Sequence, residues 1–324
     1  MVLLAVVALV GAACAEEEAE DVVIRFSFDW KMDGDWAPLI WAGANGYFEE
    51  EGLNVEWMEG DGSSAVLPLL GAGELEIGQI SAPPLVLSVP EGLPVTVVGV
   101  QGTGSPNVFL CDPSIKTPAD LAGRKYADQV GEFEHALWIA WTAANGVNIA
   151  DVDVIPATGE SSDVLFLEGE LDCYIDFWTS GVIPEVLNAR EGEESLFFIR
   201  DSLAIYGQSM AVNNDFLEEH PDAVRGFLRA YAKGVQYAVN NRDATLEKLI
   251  EEMPANDPDS LAWSIDRYIE QWDNDLSRAE GILAFEARGF EATKEALVNA
   301  DLMPDVDISG LYTFDYLPDP PIKP

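Results

Sequence analysis

IRFSFDWKMDGDWAPLIWAGANGYFEEEGLNVEWMEGDGSS, residues 24–64, is the stretch that decides the fold. Its first residues alternate between apolar and polar side chains, which is the period-two pattern of a β-strand ending at Asp29. Pro38 favours the start of a helix, because the N–H that proline lacks has no partner there anyway. Residues 53–57 alternate again as a second strand, and 60–64 lead into another helix. This order of elements predicts an α/β sheet.

The loops that follow the first two strands carry side chains suited to holding a small molecule. Open α/β sheets bind small molecules at the carboxyl ends of neighbouring strands. The first loop carries Asp29, Trp30, Asp35 and Trp36, and the second carries Gly62, Ser63 and Ser64. The second loop also offers free backbone N–H groups at a helix N-terminus. These two loops are therefore the first candidates for a binding site.

The remainder of the chain continues the alternation of strands and helices. Val95–Val100 is a continuous apolar run, which we interpret as a buried parallel strand. Further strands are predicted near 152–155 and 171–177. Pro221 begins a long amphipathic helix, whose apolar residues recur at helical spacing along one face. No internal repeat is evident.

Five segments carry a resemblance to a known family. They are GYFEEEGLNVEW (46–57), LLGAGELEIGQISAPPLVLSVPEGLPVTVVGVQ (69–101), SIKTPADLAGRKYA (114–127), GELDCYIDF (169–177) and VNNDFLEEHPDAVRGFLRAYAKGVQYA (212–238). The chain resembles the substrate-binding proteins of ABC importers, in the family that contains sulfonate binders and thiamine-pyrimidine-precursor binders. The resemblance covers most of residues 24–240. It implies the two-lobed α/β fold of type 2 periplasmic binding proteins, with a mixed, mainly parallel sheet in each lobe.

The resemblance also implies a domain layout and a set of partners. Residues 24–108 are expected to begin lobe 1, 109–206 to form lobe 2, and 207–324 to complete lobe 1 and add the C-terminal helices. The lobes are expected to close on a ligand by hinge motion at the two crossings between them. An ABC permease and its ATPase are the expected protein partners, and no cofactor is expected.

The family layout extends the set of candidate ligand-binding residues. Asp29, Glu132 and Asp176 are expected to accept hydrogen bonds from amino or hydroxyl groups and to repel anions, although each is equally compatible with a solvated surface carboxylate. Aromatic rings at the cleft edges can sandwich a planar or cationic ligand, worth about 0.5–2 kcal/mol per contact. The full set is Asp29, Trp30, Trp36, Ser63, Ser64, Ser81, Gln101, Glu132, Asp176, Trp178 and Tyr206.

The ligand class follows from those side chains and from the absence of arginine in the predicted cleft loops. Sulfonate or nitrate recognition favours Arg or Lys. We therefore expect a planar, uncharged or weakly basic heterocycle, such as a hydroxymethylpyrimidine precursor of thiamine. Riboflavin is a rival ligand. Helix N-termini alone can hold an anion, so sulfonate, taurine and nitrate stay open.

Signals for catalysis are weak. The chain has two histidines, no cluster of cysteines and no carboxylate–histidine spacing typical of a metal site. Residues 207–211 partly resemble a nucleophile elbow. The histidine that follows is too near in sequence for the acidic residue of a catalytic triad to lie between them. A binding protein is therefore expected rather than an enzyme. The alternatives of another class are a pyrimidine-synthesising enzyme, whose yeast branch depends on clustered cysteines, and a sensory lipoprotein without a permease.

The first residues, MVLLAVVALVGAAC, resemble the end of a lipoprotein signal peptide. Residues 1–13 are expected to be removed, Cys14 to carry lipid, and 14–23 to form an acidic tether. No Lys or Arg precedes the apolar segment, which departs from the usual pattern, and a core strand is the alternative. The expected location is exported, periplasmic or at the cell surface, with membrane contact through the lipid only.

Charge and cysteine content narrow the possibilities further. The net charge of −41, from 58 acidic and 17 basic residues, argues against nucleic acid as a partner. It suits a salt-rich exterior, where self-repulsion is screened. Cys111 and Cys173 form no metal motif. In an exported protein these two cysteines can pair as a disulfide. We favour the interpretation that both are unpaired and act as small, buried apolar residues.

Overall fold

Two five-stranded β-sheets flanked by helices organise the chain. The computed structural model describes residues 21–130, 132–190 and 193–324. The predicted signal peptide at 1–13, the predicted lipidation site Cys14 and most of the predicted tether lie outside the described residues. The first strand begins at Val22, so the last two residues of that tether belong to the sheet.

Ten strands are described. They are β1 (Val22–Ser27), β2 (Leu53–Met58), β3 (Ile77–Ser81), β4 (Val95–Val100), β5 (Asn107–Cys111), β6 (Lys125–Asp128), β7 (Asp153–Pro156), β8 (Cys173–Phe177), β9 (Ser195–Phe198) and β10 (Gln208–Asn213).

Thirteen α-helices are described, together with short 3-10 helices such as Gly34–Trp36. The α-helices are α1 (Ala37–Ala44), α2 (Tyr47–Glu50), α3 (Ser63–Gly71), α4 (Ala82–Ser88), α5 (Phe133–Ala144), α6 (Gly159–Leu167), α7 (Ile183–Ala189), α8 (Asn214–Glu219), α9 (Pro221–Asn240), α10 (Arg242–Glu252), α11 (Pro258–Trp272), α12 (Asp275–Glu280) and α13 (Ala287–Asn299).

The first sheet has the strand order β2-β1-β3-β10-β4. Strand β1 runs parallel to β2 and β3, whereas β10 runs antiparallel to β3 and β4. The prediction that Val95–Val100 is a buried strand is confirmed, but the prediction of a parallel pairing is wrong. A continuous apolar run reports burial on both faces and carries no information about the direction of the neighbouring strand.

The second sheet has the order β7-β6-β8-β5-β9. Strand β6 is parallel to β7 and β8, and β5 is antiparallel to β8 and β9. The predicted fold class of two mixed sheets flanked by helices is confirmed, with parallel and antiparallel pairings equally frequent among the described strands. The predicted lobe boundaries at 108/109 and 206/207 stay a prediction.

Helix α9 closes one face of the first sheet. The predicted apolar stripe is confirmed, since Val224, Phe227 and Tyr231 are fully buried. The ring of Phe227 stacks on Phe26 of β1 at 5.6 Å between centroids. The helix also packs so closely on α1 that a Cβ added to Gly234 would lie 2.0 Å from the Pro38 carbonyl oxygen.

A disulfide links two neighbouring strands of the second sheet. Cys111 at the end of β5 lies opposite Cys173 at the start of β8, with 4.0 Å between their Cα atoms. The structure joins their sulfur atoms, so our interpretation of two unpaired apolar residues is wrong. The antiparallel register brings together residues that are 62 positions apart, and their spacing in the sequence cannot reveal this.

Across the described part of the chain, no helix combines the length and the apolar character that a membrane crossing requires.

Candidate ligand-binding cleft

A cleft of about 510 Å³ lies between the two sheets. The first sheet contributes the loop after β1 and the start of α3, and the second contributes the end of β8 and the starts of α5 and α6. Tyr268 of α11 also reaches the wall. The site thus forms at strand ends and helix starts, where open α/β sheets bind ligands.

Carboxylates dominate the lining of this cleft. Among the described residues that line it, eight are acidic and one, Lys31, is a cation. The Lys31 ammonium forms an ion pair with the Asp61 carboxylate. A narrow site lined by one sign of charge concentrates the electrostatic potential and attracts counter-ions. The acidic residues are Asp29, Asp33, Asp35, Asp61, Glu132, Glu134, Asp163 and Asp176.

Asp29 is the most extensively hydrogen-bonded of these acids. Only 3% of the residue is exposed. Ser63 Oγ and Gln79 Nε2 each donate to its carboxylate at 3.2 Å, and Gln208 Nε2 donates at 3.4 Å. Burial raises the pKa of Asp29 to about 6, and the hydrogen bonds oppose part of that rise. The hydrogen bonds therefore hold the Asp29 carboxylate in place but stabilise its negative charge only in part.

Asp35 shares a donor with Asp29. Gln79 Nε2 also donates to Asp35 Oδ2, at 2.9 Å. Burial, and then the nearby Asp33, raises the pKa of Asp35 well above its usual value. Asp35 Oδ1 has no hydrogen-bond partner among the described residues, and the same holds for Gln208 Oε1. Buried acceptors without donors are costly, so this wall is suited to a ligand that donates hydrogen bonds.

The second sheet supplies its own acids. Asp176 stands near the end of β8, Asp163 lies on α6, and Glu134 lies in the first turn of α5. Burial raises the pKa of Asp163 to about 6 and that of Glu134 to about 8. Burial, and then the nearby Asp163, raises the pKa of Asp176 well above its ordinary value. Each group is disfavoured in its charged form because burial removes the carboxylate from water.

Aromatic side chains complete the lining. Trp30 is 45% exposed, and its ring reaches towards the second sheet, where a Cβ added to Gly159 would lie 3.8 Å from Trp30 Cη2. Phe133 and Phe177 meet edge to face at 5.8 Å. An exposed indole at the mouth of an acidic cleft offers a face to a planar or cationic group.

Five of the predicted site residues line the cleft, and six do not. Trp36 is buried in the core, where it stacks on Phe28 at 4.3 Å between centroids. Ser64, in the first turn of α3, is not among the residues that line the cleft. The five that line the cleft are Asp29, Trp30, Ser63, Glu132 and Asp176.

The other predicted residues support neighbouring structure. Ser81 and Gln101 lie behind the wall, where Ser81 Oγ donates to Asp29 at 3.4 Å and Gln101 Nε2 donates to Gln79 at 2.8 Å. Trp178 packs edge to face on Trp263. Tyr206 packs on Phe290 and accepts a hydrogen bond from the Glu286 N–H. Loop position alone does not separate residues facing the cleft from those facing the core.

Sequence reasoning left several lining residues out of the predicted set. Asp33 and Asp35 belong to the predicted first loop, and this position was sufficient to predict that they lie near the cleft. Asp163 and Tyr268 lie on helices whose cleft-facing side no local pattern marks. Within the described residues, no group of three or more His, Cys, Asp or Glu side chains is arranged to hold a metal ion.

The paired α/β sheets and the polar cleft between them define the periplasmic-binding-protein class of folds. A family model described as "NMT1/THI5 like" matches residues 33–245. The chain therefore belongs to the NMT1/THI5-like family, which confirms the resemblance drawn from the sequence.

The relatives of this chain differ in the function that their names state. The taurine-binding periplasmic protein of Escherichia coli is 22% identical over 63% of this chain and 63% of its own length, which is under two thirds of that relative. A putative thiamine biosynthesis protein of Haemophilus influenzae is 27% identical over 74% of this chain and 77% of its own. A Saccharomyces cerevisiae relative, 24% identical over 71% of both chains, is named as a 4-amino-5-hydroxymethyl-2-methylpyrimidine phosphate synthase.

Solved structures agree on the fold. The alkanesulfonate-binding protein SsuA from Xanthomonas axonopodis pv. citri, bound to MOPS, superposes with a TM-score of 0.69 at 17% identity. The match covers 91% of this chain and 99% of that one. At this identity the likeness establishes the architecture alone.

Proposed function

We propose that this protein is the solute-binding component of an ABC importer and that its ligand is a basic, planar nitrogen heterocycle. The observation that carries the proposal is the lining of the cleft, where eight carboxylates face one lysine that is already paired. The family membership and the two-sheet fold support the transport role.

The charge of the cleft favours a cation over an anion. Burial raises the pKa of Asp29, Asp35 and Glu134 because it removes their charged forms from water. A positively charged ligand supplies the missing partner and forms charge-assisted hydrogen bonds. A sulfonate or nitrate would instead meet like charge without the Arg or Lys that such anions require. Sulfonates, taurine and nitrate are therefore disfavoured as ligands.

The aromatic lining and the unpaired acceptors favour a ring that donates hydrogen bonds. An aminopyrimidine related to a thiamine precursor has an exocyclic amino group and a basic ring nitrogen, and it can stack on Trp30. Riboflavin also stacks, but it is uncharged and leaves the carboxylates without a counter-charge. The relative named for thiamine biosynthesis supports the pyrimidine.

The proposed location is the outer face of the membrane, with lipid on Cys14 and the lobes presented to a permease and its ATPase. Labelling of cells with a radioactive fatty acid is expected to mark the wild-type protein and not the Cys14→Ser variant. Equal labelling of both proteins would contradict the anchor and leave the ligand proposal untouched.

Binding is tested by calorimetry at pH 7 with an aminopyrimidine and its deaminated analogue, together with taurine and nitrate. We expect the aminopyrimidine to bind and the others to bind at least tenfold more weakly, because a hydrogen bond to a charged group contributes about 1.5–3 kcal/mol. Asp29→Asn is expected to weaken binding, whereas Asp222→Asn, at a residue whose side chain is 99% exposed on α9, serves as the charge-matched control. Preferential binding of taurine would overturn the ligand class. Mass spectrometry of the recovered ligand tests the alternative of an enzyme, since a binding protein returns it unchanged.

A further inference from the structure

The acids of the cleft divide into two walls. The first wall consists of Asp29, Asp33 and Asp35, which all follow β1 of the first sheet. The second wall consists of Glu134, Asp163 and Asp176, which belong to α5, α6 and β8 around the second sheet. Among the described residues that line the cleft, neither wall includes a basic side chain of its own apart from Lys31, which pairs with Asp61 at the rim.

Each wall also holds an acceptor that lacks a donor. On the first wall, Asp35 Oδ1 and the adjoining Gln208 Oε1 have no hydrogen-bond partner among the described residues, although both residues are only 3% exposed. On the second wall, the partly buried Asp163 Oδ1 has no partner within hydrogen-bond distance among the described residues, although the Tyr174 hydroxyl lies near this carboxyl group. Unsatisfied acceptors on both sides indicate a ligand that donates on both sides.

The two walls also act on each other. Burial is the main cause of the raised pKa values of Glu134 and Asp176, and Asp29 and Asp33 of the opposite wall add a smaller repulsion to Glu134 and Asp176 respectively. A cation bound at one wall supplies a counter-charge to that wall alone, and the buried acids of the other wall then stay protonated. A cation at each wall favours the ionised form of both sets of acids and allows charge-assisted hydrogen bonds on both sides of the cleft.

We propose that the ligand carries two basic nitrogens, one received by the wall of Asp29, Asp33 and Asp35 and the other by the wall of Glu134, Asp163 and Asp176. The ring or spacer between the nitrogens then lies in the middle of the cleft, beside Trp30. This inference rests on the proposed function, because it specifies the charge pattern of the cationic solute at the same site.

The test compares two probes that share one ring. Benzylamine carries a single ammonium, and 1,4-bis(aminomethyl)benzene carries two at opposite ends. Calorimetry at pH 7 and fixed ionic strength measures both affinities for the full chain. We expect the dication to bind at least tenfold more tightly, because a second charge-assisted hydrogen bond is worth that factor or more.

Two isosteric variants locate the two nitrogens. Asp35→Asn on the first wall and Asp176→Asn on the second are each expected to reduce the preference for the dication to less than threefold. Asp222→Asn, with the same change in net charge away from the cleft, is expected to keep the wild-type preference. Thermal unfolding of each variant checks that the fold is retained.

The outcomes separate this inference from the function on which it rests. Equal binding of the two amines, or a preference that survives both Asn substitutions, overturns the two-nitrogen ligand and leaves a cationic solute in place. Failure of both amines to bind, combined with binding of an anion or a neutral ring, overturns the proposed function and this inference together.

Discussion

Glu134→Gln is expected to stabilise the protein at neutral and alkaline pH. Glu134 is 9% exposed, and burial raises its pKa from the ordinary 4.5 to about 8, with Glu132, Asp29 and Asp176 adding repulsion. The glutamine keeps the shape of the side chain and cannot ionise. The substitution therefore removes the cost of a charge that the folded state tolerates poorly.

The sign and size follow from proton linkage. Between pH 4.5 and about 8 the folded state keeps the Glu134 proton that the unfolded state has lost. The free energy of unfolding of the wild type therefore falls by about 1.4 kcal/mol per pH unit from this group, and the loss is complete above the folded pKa. At pH 7 the penalty is about 3 kcal/mol, and at pH 4 it is absent.

The assay is urea unfolding, followed by tryptophan fluorescence, at fixed salt from pH 4 to pH 8. We expect the variant and the wild type to coincide near pH 4 and the variant to become progressively more stable above pH 5. Glu132→Gln removes the same charge from the partly exposed neighbouring position and is expected to have a smaller effect. A pH profile of Glu134→Gln that runs parallel to the wild type would refute the reasoning.

Three further predictions concern the framework. Replacing Cys111 and Cys173 by alanine is expected to cost about 4 kcal/mol in the free energy of unfolding, since the disulfide closes a loop of 62 residues; an unchanged urea midpoint under non-reducing conditions would contradict this. Gly234→Ala is expected to destabilise the protein by about 1–3 kcal/mol, because the added Cβ meets the Pro38 carbonyl; circular dichroism melting measures it, and a higher melting temperature would argue against close packing of α1 on α9. Adding NaCl is expected to raise the melting temperature of a chain with net charge −41; a melting temperature that is insensitive to salt would contradict screening of self-repulsion.

Local patterns predicted the elements of this fold well, because each reports a property of its own segment. Alternation located β1 and β2, and the stripe on α9 located its buried face. The antiparallel neighbour of β4 could not be predicted, because β4 pairs with β10, a strand more than a hundred residues later in the chain. The disulfide was missed for the same reason, since it depends on the register of β5 against β8.

The sequence allowed prediction of those cleft residues that lie at the ends of strands. Asp29 and Asp176 follow or end strands, and both line it. Trp36 was misplaced because a loop tryptophan can turn to either side, and here it stacks on Phe28. Asp163 and Tyr268 come from helices that the tertiary fold brings to the cleft, and one sequence contains no signal for that placement.

The strand order of the two sheets has a consequence for the sequence of events during synthesis. The second sheet uses one continuous stretch of chain, from β5 to β9, and can pair as soon as that stretch has emerged. The first sheet must wait for β10, and residues 311–313 then add backbone hydrogen bonds to Val97 from the far end of the chain. Long-range pairings of this kind form slowly. We therefore expect the sheet that positions Asp29, Asp33 and Asp35 to complete its pairing after the second sheet, and the cleft to stay incomplete in a nascent chain until β10 and Tyr268 of α11 have emerged.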